Sequence, residues 1–172
     1  GAIVEVPLGS SKLYQRMFLL PKPHTAEFRP VLDCRPVNSL LAPEHFKLEG
    51  WKEVRALLRR GSFLTKIDLS KAYWHLPMAQ QAREFLAFQH KGKEYQFASL
   101  PFGLSTAPHV FTKVMHVPIT QLRTEGVRAV VYLDDILILA DTKEESVRVT
   151  QKVCKLLEDL GFTVNRRKSI TE

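Results

Sequence analysis

The chain is poor in the residues that would suggest a metal-stapled or secreted scaffold. Its 172 residues include two cysteines, Cys34 and Cys154, far apart in sequence and with no CxxC or nearby His pair. A disulfide framework and a structural zinc site are therefore disfavoured, and two reduced thiols in an intracellular protein are expected. The six histidines show no HxxxH spacing and read as surface or core residues, not ligands. No apolar run approaches the roughly 20 residues of a membrane span, and no signal-peptide pattern opens the chain. A soluble, intracellular protein with no membrane partner is the expectation. Internal repeats and low-complexity segments are absent. A chain of this length buries about 70% of its unfolded surface, so it needs no staple.

Charge is what the chain has in excess. Lys and Arg total 25 against 18 Asp and Glu, a net charge of +7 and a pI near 9.5. That balance suits a polyanion such as nucleic acid, although charge alone equally fits a basic domain that binds none.

Pattern along the chain predicts mixed structure. RMFLL (16–20) and RPVLD (29–33) read as strands joined by the polar loop PKPHTAEF, and RPVNSLL as a short helix whose start Pro36 restricts. WKEVRALLRRG predicts an amphipathic helix, with Trp51, Val54, Leu57 and Leu58 inward, four basic residues outward, and Gly61 as C-cap. SFLTKID reads as a strand ending at Asp68, and LSKAYWH as a short helix stopped by Pro77. FLAFQH and EYQFAS flank the turn KGK as a hairpin. A helix is expected from about Ser105 to about Glu125 if Pro118 only kinks it. RAVVYLDDILILA predicts a second hairpin. TKEE (142–145) reads as a capping box opening a helix with Val147, Cys154, Leu157 and Leu160 on one stripe, followed by a short strand at FTV. Antiparallel hairpins mixed with helices argue an α+β fold.

The stretch VVYLDDILIL (130–139) sets two carboxylates inside an apolar run. A lone Asp-Asp pair is usually a solvated turn. Here apolar flanks on both sides put the hairpin inside a sheet, and Asp-Asp is a poor turn compared with Asn-Gly. Neighbouring carboxylates in a partly buried site protonate or bind a cation, and a hard divalent ion with oxygen ligands suits them. Asp68, ending an apolar strand, is the natural third carboxylate. Read alone, it is equally a helix N-cap. Strand-end carboxylates around two Mg²⁺ ions are the arrangement that serves in-line phosphoryl transfer.

At these residues the chain resembles reverse transcriptases. YLDD at 132–135 is similar to that family's YxDD box. The family's other segments follow in order: FRPVLDCRPVN (28–38), FLTKIDLSKAYWHLPM (63–78), YQFASLPFGLSTAPHVFTKVM (95–115) and LGFTVNRRKS (160–169). The wording is nearest to retrotransposon enzymes, of the gypsy-like or, by preference, the DIRS-like type.

The resemblance implies a right-hand polymerase with an antiparallel palm sheet packed on helices. Residues 1–61 would be mainly fingers and 62–172 mainly palm, with about 80–100 returning partly to the fingers. Asp68 and Asp134 would bind both metals (Mg²⁺, with Mn²⁺ as a substitute), Leu69 would add its carbonyl, and Asp135 would support them. Lys22 and Arg29 would grip the dNTP triphosphate, which suits a forked guanidinium and a mobile ammonium. Tyr73 would select the deoxy sugar, its competing reading being a core aromatic. Phe102, where retroviral members carry Gln, would lie against the nucleotide, leaving a polar contact there in doubt. Lys168, or equally Arg167, would protonate the leaving pyrophosphate.

Arg55, Arg59, Arg60, Lys91 and Lys93 are candidates for the nucleic-acid backbone. The partners implied are a primed RNA or DNA template and dNTP. Because the sequence stops after NRRKSITE, the thumb, primer grip and RNase H of family members are expected to be missing, as in a piece of a retrotransposon polyprotein. The alternative is an inactive nucleic-acid-binding module derived from such an element.

Overall fold

The computed structural model describes all residues except 22–25, 27, 43, 167, 168 and 172, with backbone only at 170 and 171. In chain order the first elements are β1 (Ile3–Val6), β2 (Arg16–Pro21), β3 (Phe28–Asp33), α1 (Arg35–Asn38), α2 (Trp51–Leu57) and β4 (Phe63–Asp68). A 3-10 turn (Ala72–His75) leads to α3 (Gln80–Arg83), β5 (Ala87–His90) and β6 (Lys93–Phe97). Then come α4 (Ala107–Thr124), β7 (Arg128–Tyr132), β8 (Asp135–Ala140), α5 (Lys143–Asp159) and β9 (Ile170–Thr171). Every named strand pair is antiparallel, so the architecture is α+β as expected. The chain divides into two compact units, Gly1–Glu44 with Tyr73–Ala107, and His45–Ala72 with Pro108–Glu172.

The first unit holds a three-stranded sheet, β1-β6-β5, and the hairpin β2-β3. KGK behaves as anticipated: Lys91 and Gly92 both take positive φ, 49° and 73°, which matches the twist of a tight hairpin. Strand β1 was not anticipated, because IVEV is too short to display a period. It is held by register with β6, Ile3 opposite Phe97.

A fully buried carboxylate, Glu94, secures the segment after β1. It accepts hydrogen bonds from the Gly9 amide at 2.7 Å and the Tyr14 hydroxyl at 2.8 Å. Hydroxyl donors, Ser11 foremost, hold its carboxyl below the usual glutamate range. A depressed pKa stabilises the fold above the unfolded value of about 4.3 and loses that contribution as pH falls through the folded one. Exchange at the Gly9 amide, measured against its intrinsic rate at each pH, should therefore rise in wild type as pH falls below the ordinary glutamate range. It should be fast at neutral pH already in Glu94→Ala; equal protection in both proteins would contradict this.

The second unit is built on a four-stranded sheet in the order β7-β8-β4-β9. Period-2 alternation decides its faces. Thr65, Ile67, Ile136 and Ile138 are fully buried on one side, where α5 packs, while Lys66, Asp68, Asp135 and Leu137 stay partly exposed on the other. Helix α4 contributes Phe111, Met115, Ile119 and Leu122 at helical spacing to the core, Phe111 meeting Phe162 edge-on at 6.2 Å. Pro118 lies inside α4 without ending it.

Four expectations are corrected. Helix α2 ends at Leu57 and buries no residue; Trp51 is 77% exposed, and Arg59 and Arg60 fall beyond the helix, because Leu58 is extended. In α5 the buried stripe is Ser146, Val153, Cys154 and Leu157, while Val147 and Leu160 are exposed. The phase is set by a buried hydroxyl pair, Ser146 Oγ with Thr65 Oγ1 at 2.8 Å. At the start of α5, Thr142 caps Glu145 as anticipated, but the Glu145 carboxylate accepts the Asp141 amide, one residue earlier than a capping box has it. FTV is not a strand: Val164 makes an isolated bridge with Leu69, and the strand that forms is β9, beside β4.

The outer edge of β7 is covered by side chains. Glu49 accepts the Val131 amide at 2.8 Å and pairs with Arg123 at 2.6 Å, and Arg123 donates to the Ala129 carbonyl. Such cover blunts an edge that would otherwise template pairing with another chain. Glu49→Ala should cost about 1–2 kcal/mol, read as a lower urea midpoint, since it strips acceptors from an amide and a guanidinium. An unchanged midpoint would reject this account of the edge.

Candidate active site

The paired aspartates do not form the turn themselves. Tyr132 and Asp135 are cross-strand partners, so the two-residue loop is Leu133–Asp134. Leu133 takes the strain, with φ of 55°, a region that non-glycine side chains seldom occupy. This loop puts Asp134 at the hairpin tip. The Asp134 carbonyl accepts the Leu69 amide at 3.1 Å, which joins the hairpin tip to the end of β4. Asp68 lies directly opposite Asp135 in the β4–β8 register. The backbone thus brings Asp68, from one part of the sequence, and the Asp134–Asp135 pair, from another, to adjoining strand ends, with all three residues partly exposed.

A cation is already supplied by the chain. Lys66, two residues before Asp68 on the same face of β4, places Nζ 2.9 Å from Asp135 Oδ2. The hydrogen bond to Asp135, with the charges of Asp135, Asp68 and Asp134, raises the Lys66 pKa above its ordinary value. Like charges directly opposite in a sheet repel, and a diagonal lysine offsets this. Among the described residues, no group of three or more His, Cys, Asp or Glu side chains is arranged to hold a metal ion. The donor chemistry nevertheless fits one: carboxylate oxygens at two adjoining strand ends are hard ligands of the kind Mg²⁺ and Mn²⁺ take.

The last motif also reaches this place. The Asn165 amide donates to the Asp68 carbonyl at 2.8 Å, and the Ser70 amide to the Thr163 carbonyl at 2.8 Å. The backbone at Thr163 and Asn165 therefore brackets Asp68 on the side away from β8. Lys168 and its competitor Arg167 lie outside the described residues, as does Lys22.

In the first unit, three of the expected nucleotide-binding residues come together. The Arg29 guanidinium lies 5.7 Å from the Phe102 ring centroid, and Phe102 is tilted against Tyr73 with centroids 5.0 Å apart. Where a polar residue would offer a hydrogen bond, Phe102 gives the arginine an aromatic face. Tyr73 is 9% exposed, so its ring is largely packed.

The loop carrying Phe102 is positioned by a residue that sequence reading passed over. Asn38 Nδ2 donates to the Gly103 carbonyl at 2.9 Å, and Asn38 Oδ1 accepts the Ser105 amide at 2.8 Å. The signal was an amide side chain ending the RPVN helix, able to donate and accept at once. Lys66 was missed too, for want of knowing which strand would lie beside β4. The basic candidates differ in their commitments. Arg59 is paired with Asp141 at 2.7 Å and Lys93 with Glu5 at 2.9 Å, while Arg55, Arg60 and Lys91 are exposed.

Comparison with known proteins agrees with this geometry. The family model described as reverse transcriptase (RNA-dependent DNA polymerase) matches residues 20–171. The Pol polyprotein of a feline endogenous virus is 32% identical over 162 residues, covering 88% of this chain and 16% of that polyprotein. The retrovirus-related Pol polyprotein from transposon gypsy of Drosophila melanogaster is 30% identical over 142 residues, covering 82% of this chain and 13% of its own length. Of the two retrotransposon types suggested by the motif wording, gypsy is thus represented among the relatives. A foamy viral protease-reverse transcriptase in complex with double-stranded DNA superposes with a TM-score of 0.85 at 26% identity, covering 99% of this chain and 29% of that one. A structure of the foamy viral protein with an RNA/DNA hybrid gives 0.80 at 27% identity, covering 99% and 22%. The chain spans less than a third of the length of each of these relatives, and it belongs to the reverse transcriptase (RNA-dependent DNA polymerase) family.

Proposed function

We propose that the chain supplies fingers and palm to a retroelement RNA-directed DNA polymerase, the first unit acting as fingers and the second as palm. The reaction is attack of a primer 3′-hydroxyl on the α-phosphate of a dNTP, directed by an RNA or DNA template. One observation carries this reading: Asp68 and Asp135 face each other at the ends of β4 and β8, with Asp134 at the adjoining hairpin tip.

Asp68 and Asp134 are the residues that would hold divalent metal, with the Leu69 carbonyl beside them. Two bound Mg²⁺ ions, or Mn²⁺ in their place, would supply charge stabilisation to the attacking and departing oxygens. The chain's own residues provide the positioning on which phosphoryl transfer mostly depends. Arg29 presents a forked donor suited to phosphate oxygens, and stacking on Phe102 restricts the guanidinium. Lys22 on the same arm would add a second charge, and Lys168 a proton for the leaving pyrophosphate. Tyr73, packed against Phe102, would be the residue that excludes a 2′-hydroxyl. Tyr73→Ala should accordingly raise ribonucleotide use relative to dNTP by about tenfold or more in the full-length parent. Unchanged sugar selectivity would remove Tyr73 from the site.

The direct test is primer extension with Mg²⁺, a primed RNA template and dNTP, comparing this chain with a longer version containing a thumb. Incorporation by the longer protein is the expected result, with this chain extending primers poorly. No incorporation by either, with retained binding to the duplex, would favour the inactive nucleic-acid-binding module instead.

A further inference from the structure

We propose that Lys66 competes with divalent metal for Asp135 and so sets how tightly this site takes its cation. The inference rests on the functional reading above. Strand alternation puts Lys66, Asp68 and, across the register, Asp135 on one face of the sheet, since Thr65 and Ile67 are buried on the other. Lys66 stands opposite Leu137 and Asp135 opposite Asp68, which makes lysine and Asp135 diagonal neighbours within reach of a long side chain. The contact is a direct ion pair, at 2.9 Å between Nζ and Oδ2, with both side chains about two-fifths exposed at 43% and 41%. A pair so exposed is weak enough to exchange.

The consequence is a division of labour among the three carboxylates. Asp135 carries the direct ion pair with Lys66, so an incoming metal must displace the ammonium to use that carboxylate. The fold also gains an advantage: adjoining acidic strand ends keep their counter-charge before any ion arrives. Removing the ammonium should free Asp135 as a further anionic ligand and strengthen cation binding. It should also make thermal stability depend more on the added ion.

The experiment is calorimetric Mn²⁺ titration of this chain as wild type, Lys66→Met and Lys66→Arg, each checked for native circular dichroism. Thermal melts in chelator and in Mn²⁺ accompany it. Lys66→Met should bind Mn²⁺ about three- to tenfold more tightly, in keeping with loss of an exposed competing pair. It should melt lower than wild type in chelator and recover in Mn²⁺, whereas Lys66→Arg should follow wild type. A merely structural lysine would lower the melting temperature equally in both buffers and leave affinity unchanged, which would overturn the proposal. Failure of wild type and Lys66→Met alike to bind Mn²⁺ would overturn it as well. Primer extension by the thumb-containing protein then judges the polymerase reading separately. Should Lys66→Met not fold, Lys66→Gln carries the same titration.

Discussion

If the proposed reading holds, Asp134→Asn should abolish dNTP incorporation by a thumb-containing version of the chain, lowering the rate by at least about a thousandfold. The substitution preserves size and removes one negative charge at the hairpin tip. That charge is what the position offers chemically, because its backbone is engaged structurally: the carbonyl holds the Leu69 amide. The Asn carbonyl can still accept that bond, and the side chain is only partly buried, so the melting temperature should hold. Single-turnover primer extension with Mg²⁺ measures the loss. Wild-type and variant rates agreeing within error would end the polymerase assignment. A large loss accompanied by unfolding would show only that the hairpin is damaged, so the melt belongs beside the rate.

Gly103→Ala should be the most destabilising small substitution in the first unit. Gly103 has φ of 104°, and a Cβ there would stand 2.4 Å from the Leu32 carbonyl oxygen. Neither problem can be relieved by moving a flexible side chain, because the obstacle is the backbone of β3. Strain at such a φ and forced overpacking each cost about 1–3 kcal/mol. Together they should lower the melting temperature by several degrees, about 2–4 °C for each kcal/mol in a chain of this size. Function should suffer with stability, since the same loop carries Phe102 and is pinned through Asn38. A chemical-denaturation curve for Gly103→Ala overlapping that of wild type would show that the β3 backbone yields easily.

Several features are legible in the sequence because they depend on local pattern. The apolar character of FLTKID and of the VVYL and ILILA flanks marks strands, and the KGK turn and the Thr142 cap carry their chemistry in the residues themselves. The acidic residues were legible for the same reason: a carboxylate ending an apolar strand is conspicuous wherever that strand lies. Where pattern was short or ambiguous, reading went astray. IVEV could not announce β1, FTV had strand-like residues but no partner run, and the α5 stripe was out of phase with the buried Ser146–Thr65 contact.

By itself, the sequence determined a basic α+β chain with hairpins, strand-ending carboxylates and the ordered motifs of a reverse transcriptase. Tertiary structure alone decided that Asp135 answers to Lys66, that Leu133 bears the strain of the turn, and that Asn38 holds the Phe102 loop. The reason is physical. Periodicity says which way a side chain points along its own strand, but a cross-strand ion pair requires the register between strands nearly 70 residues apart. That register is set only when the buried faces close together.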